Sequence, residues 1–458
     1  MDALRADCIN FNKNKLYPKK YKVKVHLNDS KLDDLCAKGC FFVNAISVAP
    51  YTSSSHAAYF TGLWPKNNGV YDQFNSKLNA RTVFQTAKKA GYKTIFKTDF
   101  PFILGKYLNM IQGVDKYIIE NNDRALKEIK NNKKVFSFIH FGQIHYPYGF
   151  HNIEFGGKDY IEKISNLEKE HNIKTEKINL EDMAIETFRT KEDLNLLYKY
   201  KKIIAHLYSN KKDDALFNLY LEGINYFHKH LFNKFLEKLL KLLENENYLI
   251  IISADHGEAW NEETYGHHNS LDEGVIRVPI LFFAKDIAPR LYPNRIRTID
   301  VAPTLNEILF KSKQKFDGKS LSQIIYKNKA EKDRFAFSSI WVNEATDVLK
   351  KIKDLLENDK ISTKKNISVK YAAAVYKDKY KYTINYKKFA NRGERLVDFN
   401  KERLFAIKSL INIILVNNPK KMAEMKKLAE EYNQLKTQKR KSHKEIMKKY
   451  FNLMGYRI

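Results

Sequence analysis

The 458-residue chain lacks the marks of several protein classes. Its 3 cysteines, Cys8, Cys36 and Cys40, are too few for a disulfide framework, and none stands in a metal-ligand spacing. With 17 glycines and 10 prolines, long flexible linkers are excluded on composition. Acidic residues are scarce: 53 Asp and Glu face 81 Lys and Arg, a formal charge of +28. Such a field attracts polyanions of any kind. The lysines are spread along the chain and no RNA- or DNA-binding signature accompanies them, so no specific nucleic acid is expected. No apolar run is long enough to cross a bilayer, LINIILVNN near residue 410 included. With no secretory signal at its start, the chain reads as soluble and cytoplasmic by default. A longer N-terminus would make it membrane-associated or exported.

What is present is enough apolar surface for a large core, 43% hydrophobic and 13% aromatic residues. Short apolar runs at 41–49, 92–98, 134–141, 248–254 and 278–284 alternate with helical patterns, as in a sheet flanked by helices. The run at 248–254 has the continuous apolar character of a central parallel strand. RTVFQTAKKAGY (81–92) reads as a helix ended by Gly91. The expected fold class is α/β: a three-layer α/β/α sandwich with a mostly parallel central sheet. A main domain is expected over 1–330, with a helical insertion at about 151–212. An α+β subdomain follows at 331–405, where VKYAAAVYKDKYKYTINYKK predicts antiparallel strands. A basic helical tail occupies 406–458 and could touch an anionic membrane. Oligomeric state is left open.

Chemistry concentrates in a few segments. SADHGE (253–258) ends an apolar strand with Asp255 and His256, one carboxylate and one imidazole facing the crevice where α/β sheets bind ligands. A hydrogen-bonded turn is the plain alternative. GHHNSLDEGVIRVP (266–279) adds His267 and His268. In NAISVAPYTSSSHAAYFTGLWP (44–65) a strand runs through a hydroxyl-rich turn into a helix, placing Thr52 near a helix N-terminus suited to an anion. A hydroxyl there, held on a metal ion, can act as a nucleophile. MDALRAD (1–7) supplies Asp2, Arg5 and Asp7, one of whose acids could complete a metal shell.

In this order the segments resemble the sulfatase family of the alkaline phosphatase superfamily. MDALRAD resembles its opening aspartate motif, APYTSSSHAAYFTGLWP its nucleophile segment, and IHFGQIHYPYGF (139–150) its internal His-x-Pro motif. SADHGE and GHHNSLDEGVIRVP resemble its late metal and substrate segments; RTIDVAPTL (297–305) and ERLVDF (394–399) resemble its closing elements. The resemblance implies one divalent metal ion (Mn, Mg, Ca or Zn) held by Asp2, Asp255 and His256, with Thr52 as ligand and nucleophile. It implies catalytic roles for His145 and His267 at the anionic group or leaving oxygen, and substrate binding by His56 and His268. His56 stands where many sulfatases have arginine. Tyr148 and His140 would shape the pocket.

Three departures refine this. Sulfatases form their aldehyde nucleophile from cysteine or serine, and threonine has no such route. A phosphothreonine is open to hydrolysis at phosphorus, whereas a sulfothreonine is not, so phosphate esters are favoured over sulfate esters. Two-metal relatives carry an aspartate near the position of His228; one metal is expected here. The family also has an apolar strand before its opening aspartate, where only Met1 stands. The expected function is hydrolysis of an anionic ester, glycan- or lipid-linked. The alternatives are phospho-group transfer to a surface glycan or lipid, and an N-terminally truncated, non-catalytic binding module.

Overall fold

The computed structural model describes residues 1–458 except 14, 16, 18–20, 75, 149–152, 174–190, 261–265, 269, 344–367, 386–394, 399–418 and 433–458. The apolar stretch near 410 and most of the expected basic tail fall outside the described residues.

The first two-thirds of the chain carries β1 (Cys40–Ile46), β2 (Lys93–Thr98), β3 (Lys116–Ile119), β4 (Val135–Ile139), β5 (Ile250–Ser253), β6 (Arg277–Phe283), β7 (Arg290–Tyr292) and β8 (Ile296–Arg297). The five apolar runs read from the sequence correspond to β1, β2, β4, β5 and β6. Parallel ladders join β1 to β7 and β8, and β2 to β3 and β4. Antiparallel ladders join β6 to β1 and to β5. β1 is buried on both faces, with Cys40, Phe41 and Phe42 fully covered, and a register shift between Phe42 and Ala45 bends it.

The fold is the expected α/β class with a mostly parallel sheet, but β5 differs from its reading as a parallel strand. Its only ladder among the described residues is antiparallel, to β6. Apolar continuity reports burial; it carries no information on the direction of the neighbouring strand. The sheet also comes in two parts, β5-β6-β1-β7 with β8 beside β1, and β3-β2-β4. An apolar cleft of about 1300 Å³ separates β4 from β5.

Helices cover both faces. Lys31–Lys38, Asn122–Lys130 and Asn233–Leu242 pack together on one side, and Thr52–Thr61, Val83–Lys89 and Val301–Leu305 on the other. Val83–Lys89 starts with a capping box between Thr82 and Gln85 and ends before Gly91, which takes a left-handed φ of 81°. The long amphipathic pattern after residue 213 forms Asp213–Phe227, a π-turn His228–Phe232 and Asn233–Leu242; its buried face holds Phe217, Tyr220, Ile224 and Phe227. In the expected insertion, Ile153–Glu170 and Lys191–Ser209 pack on each other.

A separate antiparallel sheet, β12-β11-β10-β9, follows: β9 (Ala336–Asn343), β10 (Ser368–Lys377), β11 (Tyr380–Asn385) and β12 (Arg395–Asp398). The hairpin β10–β11 is the alternating aromatic-lysine segment. Helix Pro419–Tyr432 covers it, burying Met425 and Ala429. Among the described residues no helix is long and apolar enough to cross a membrane.

His228 is buried in the π-turn against the rings of Phe227 and Phe232, with no partner for its Nε2 among the described residues. Burial lowers its pKa from 6.5 to about 4. The unfolded chain takes up a proton as pH falls through 6.5, while the folded chain waits until about 4. Stability present above 6.5 is therefore lost across that window, by about 3 kcal/mol from this group. In urea melts, His228→Leu is expected to lose less stability than the parent between pH 7 and pH 4, by about that amount. An identical pH slope in both proteins would refute this.

Candidate active site

Three strands deliver the site at their C-terminal ends, and the turn after β1 hands over to a helix. After β1, Ser47 donates to the Asp255 carbonyl (2.6 Å), and the chain turns through Tyr51 into Thr52–Thr61 with Thr52 as its first residue. The helix stops at Gly62, left-handed at φ 67°, where a Cβ would meet Phe316 at 2.7 Å. Past β4 come His140 and His145, and past β5 come Asp255 and His256. Asp2 enters between them, its N–H donating to the Phe141 carbonyl (2.8 Å). Ala3, in the strained left-handed region at φ 57°, turns its N–H to Asp255 Oδ1 (3.2 Å) and accepts from the Tyr220 hydroxyl (2.7 Å).

Thr52 Oγ donates to Asp2 Oδ2 at 3.3 Å. His140 Nδ1 accepts from the Asp99 N–H (3.4 Å), which leaves the proton on Nε2 to donate to the same Asp2 Oδ2 (3.1 Å). His256 uses Nδ1–H on the Gly257 carbonyl (2.9 Å), so its Nε2 lone pair points inward, 3.4 Å from Asp2 Oδ1 and 3.5 Å from Asp255 Oδ2. Asp2 Oδ1, Asp255 Oδ2 and His256 Nε2 are buried without a hydrogen-bond partner among the described residues. The ligand atoms of these three residues lie within 4.8 Å of one another. Two carboxylate oxygens and an imidazole lone pair converging in a buried pocket fit a divalent metal ion, since buried carboxylate charge is costly without a cation.

A second cluster adjoins this one. His145 donates Nδ1–H to the Tyr146 carbonyl (2.9 Å), and its Nε2 lies 4.0 Å from Asp2 Oδ1. His267 donates Nδ1–H to Glu258 Oε2 (3.0 Å) and stacks on His256, ring centres 4.2 Å apart. The ligand nitrogens of His145, His256 and His267 also lie within 4.8 Å of one another. His268 packs on His267 and on Tyr51. Burial lowers the pKa of His145, and those of His267 and His268 fall well below the usual value through burial and their neighbouring imidazoles. For Asp2, burial would raise the carboxyl, but His145, His140 and His256 outweigh it and hold it well below the carboxylate range.

The predicted residues Asp2, Thr52, His145, Asp255, His256, His267 and His268 thus come together. His56 sits differently: its Nδ1–H bonds the Thr52 carbonyl (2.8 Å) and its ring packs on Phe138 and His140. It lies 3.7 Å from Asp255 Oδ2, and burial lowers its pKa to about 4. His228 is in the helical layer and belongs to neither ligand group. Tyr148 is buried and receives the Trp260 indole N–H (2.8 Å).

Residues that sequence reasoning passed over hold these groups in place. Lys97, at the end of β2, bonds Asp99 (2.5 Å) and the His140 carbonyl (2.7 Å). Asp99 in turn receives Gly142 N–H (3.0 Å) and Gln143 Nε2 (3.1 Å), shaping the turn that leads to His145. A lysine and an aspartate after an apolar strand were the available signal. Lys381 of β11 reaches the Leu271 carbonyl (2.6 Å) and Glu273 (2.9 Å), anchoring the loop that bears His267. Because His140 orients Asp2, His140→Ala is expected to weaken Mn²⁺ binding by roughly 10- to 100-fold in calorimetry. Unchanged affinity would show that Asp2 needs no such support.

Residues 22–309 match the family model Sulfatase. Several solved structures share the fold along nearly the whole chain. One, solved with its substrate D-glucosamine-2-N,6-O-disulfate, is 15% identical with a TM-score of 0.60, covering 96% of this chain and 98% of that one. A 2-O GAG sulfatase is 16% identical with a TM-score of 0.59, covering 96% and 93%. The phosphonate monoester hydrolase of Agrobacterium radiobacter is 14% identical with a TM-score of 0.55, covering 94% and 93%. At these identities the likeness is one of fold. A curated relative, the 2,3-bisphosphoglycerate-independent phosphoglycerate mutase of Ehrlichia ruminantium (strain Gardel), is 35% identical over 88 residues, 19% of this chain; the match spans 17% of that relative's length. The family match over more than half of the chain makes it a member of the Sulfatase family.

Proposed function

We propose that the chain is a metal-dependent hydrolase of phosphate esters with Thr52 as its nucleophile. The observation that carries this reading is the hydrogen bond from Thr52 Oγ to Asp2 Oδ2 beside the bare atoms of Asp2, Asp255 and His256. The donor set, two carboxylates and an imidazole with a hydroxyl alongside, suits Mn²⁺ or Zn²⁺ better than the all-oxygen preference of Ca²⁺. When bound, the ion supplies positive charge that eases deprotonation of the hydroxyl and draws electrons from the ester.

The residues then divide the work. Thr52 stands at the positive end of its helix, which favours an arriving anion. Its proton passes to the lone pair of the histidine cluster through His145, whose Nε2 faces the carboxylate that Thr52 bonds. The Thr52 Oγ–P bond forms in line as the bond from phosphorus to the leaving oxygen breaks. His267, its Nδ1–H held by Glu258, takes up on Nε2 the proton that left Thr52 through His145 and hands it to that oxygen, so the alcohol departs neutral. Water then cleaves the phosphothreonine with the roles reversed. Two inversions give retention at phosphorus. Neutral imidazoles suit this shuttle, because the substrate's negative charge raises their pKa only when it is bound.

Threonine itself favours phosphorus over sulfur, as it has no route to the aldehyde that sulfatases use. The short match to a phosphoglycerate mutase is in keeping with phosphate. The disulfate-bound neighbour is in keeping with a sugar-linked anion, and the net charge of +28 with an anionic substrate in general.

With Mn²⁺ present, an aryl phosphodiester is expected to turn over faster than the matching aryl sulfate. Thr52→Ala should reduce that rate roughly 10⁴- to 10⁶-fold while still binding Mn²⁺ at reduced affinity. Full activity in that variant, or a clear preference for sulfate, would sink the assignment. Appearance of a modified acceptor in place of free phosphate would turn it into a transferase.

A further inference from the structure

His256 belongs to two ligand groups at once, one with Asp2 and Asp255, the other with His145 and His267. The second group is all imidazole. Each of its rings gives Nδ1–H to an acceptor: His145 to the Tyr146 carbonyl (2.9 Å), His256 to the Gly257 carbonyl (2.9 Å) and His267 to Glu258 Oε2 (3.0 Å). Such bonds set the tautomer of a metal-binding histidine and leave its lone pair on Nε2. The three ring centres lie 4.2 to 6.2 Å apart, and the ligand nitrogens within 4.8 Å of one another. An ion held about 2.1 Å from each nitrogen sets them roughly 3.4 Å apart, so a small closure of the rings lets them share one. His256 and His267 are fully buried and His145 is partly exposed, which leaves a way in on its side.

The two groups suit different ions. Two carboxylates with one imidazole accept Mn²⁺ readily, whereas three imidazoles with an open fourth position are a donor set of Zn²⁺. Affinity for a nitrogen site also rises from Mn²⁺ to Zn²⁺ along the divalent series. Both groups cannot be filled at full strength, because His256 Nε2 has a single lone pair to give. An ion among the imidazoles also takes the Nε2 atoms of His145 and His267, which carry the proton from Thr52 to the leaving oxygen in the reaction above. His228, near the position where two-metal relatives carry an aspartate, lies in the helical layer and has no part in this group.

We infer that His145, His256 and His267 form an inhibitory metal station, which Zn²⁺ fills in competition with the station of Asp2, Asp255 and His256. The inhibitory half rests on the roles proposed for His145 and His267 in phosphate-ester hydrolysis; the station itself does not. Zn²⁺ there draws His256 away from the carboxylates and removes the lone pairs of the proton shuttle. One shared imidazole thus sorts two ions, an oxygen-preferring one that supports turnover and a nitrogen-preferring one that stops it.

The 458-residue chain, loaded with Zn²⁺ alone or with Mn²⁺ alone, is measured by X-ray absorption at each metal's edge, where outer-shell scattering counts the bound imidazoles. Three are expected on Zn²⁺ and one on Mn²⁺. This arm needs no variant. In calorimetry His145→Ala should weaken Zn²⁺ binding at least ~10-fold and leave Mn²⁺ binding within ~2-fold, and Asp255→Asn should do the reverse. Zn²⁺ added to the Mn²⁺-loaded chain should slow an aryl phosphodiester roughly 10²-fold or more, the worth of a general acid and base, and a Zn²⁺-selective chelator should restore it. A single imidazole on Zn²⁺, or Zn²⁺ affinity unchanged by His145→Ala, overturns the station. Undiminished turnover with three imidazoles on Zn²⁺ overturns the inhibition. If Zn²⁺ carries three imidazoles and no phosphate ester turns over with either metal, the hydrolase reading fails, the inhibitory half falls with it, and the station stands.

Discussion

Two carboxylates, Asp2 and Asp255, are buried side by side, and each has one oxygen with no hydrogen-bond partner among the described residues. Charge in a buried pocket is costly unless it is paired. Most of the site's geometry answers that constraint. Asp2 Oδ2 takes protons from Thr52 and His140, and Asp255 Oδ1 takes those of His256 N–H and Ala3 N–H. The remaining oxygens face His256 Nε2, which is the arrangement a divalent cation completes.

The rest of the molecule keeps these groups from drifting. Lys97 and Asp99 form a buried ion pair that grips the His140 carbonyl and the following turn, so the histidine that steers Asp2 is itself tethered. Glu258 sets the tautomer of His267. The antiparallel sheet contributes from the far side: Ser339 bonds Val48, Trp341 bonds the Tyr51 hydroxyl, and Lys381 clamps Glu273. Burial would push the Glu273 carboxyl up, yet Lys381 and Arg277 hold it well below the usual range. The segment after β1 that ends in Thr52 and the loop with His267 are therefore both anchored to the same small sheet.

The motifs were legible because they are local. A strand followed by Asp-His, a hydroxyl-rich turn entering a helix and a histidine pair in a loop each occupy a few consecutive residues, and their order along the chain resembles one family. The strands were legible for the same reason, as apolar runs bounded by turn residues. His56 shows where this stops. Substrate binding was its expected role; one helical turn from Thr52, its Nδ1 bonds the Thr52 carbonyl and its ring packs on Phe138 and His140, contacts that its place in the sequence does not show. Glu258 stood in a quoted motif without a role, because only folding brings residue 267 back to it.

By itself the sequence determined the residue types of the site, the α/β class and the hydroxyl on which the proposed phosphate chemistry rests. These follow from side-chain identity and short-range periodicity. Only the tertiary structure decided which nitrogen of each histidine carries its proton, that β5 lies antiparallel to its neighbour, and that the sheet opens between β4 and β5. Tautomers are set by acceptors distant in sequence, and strand direction and pairing by long-range ladders. Neither leaves a trace in local composition.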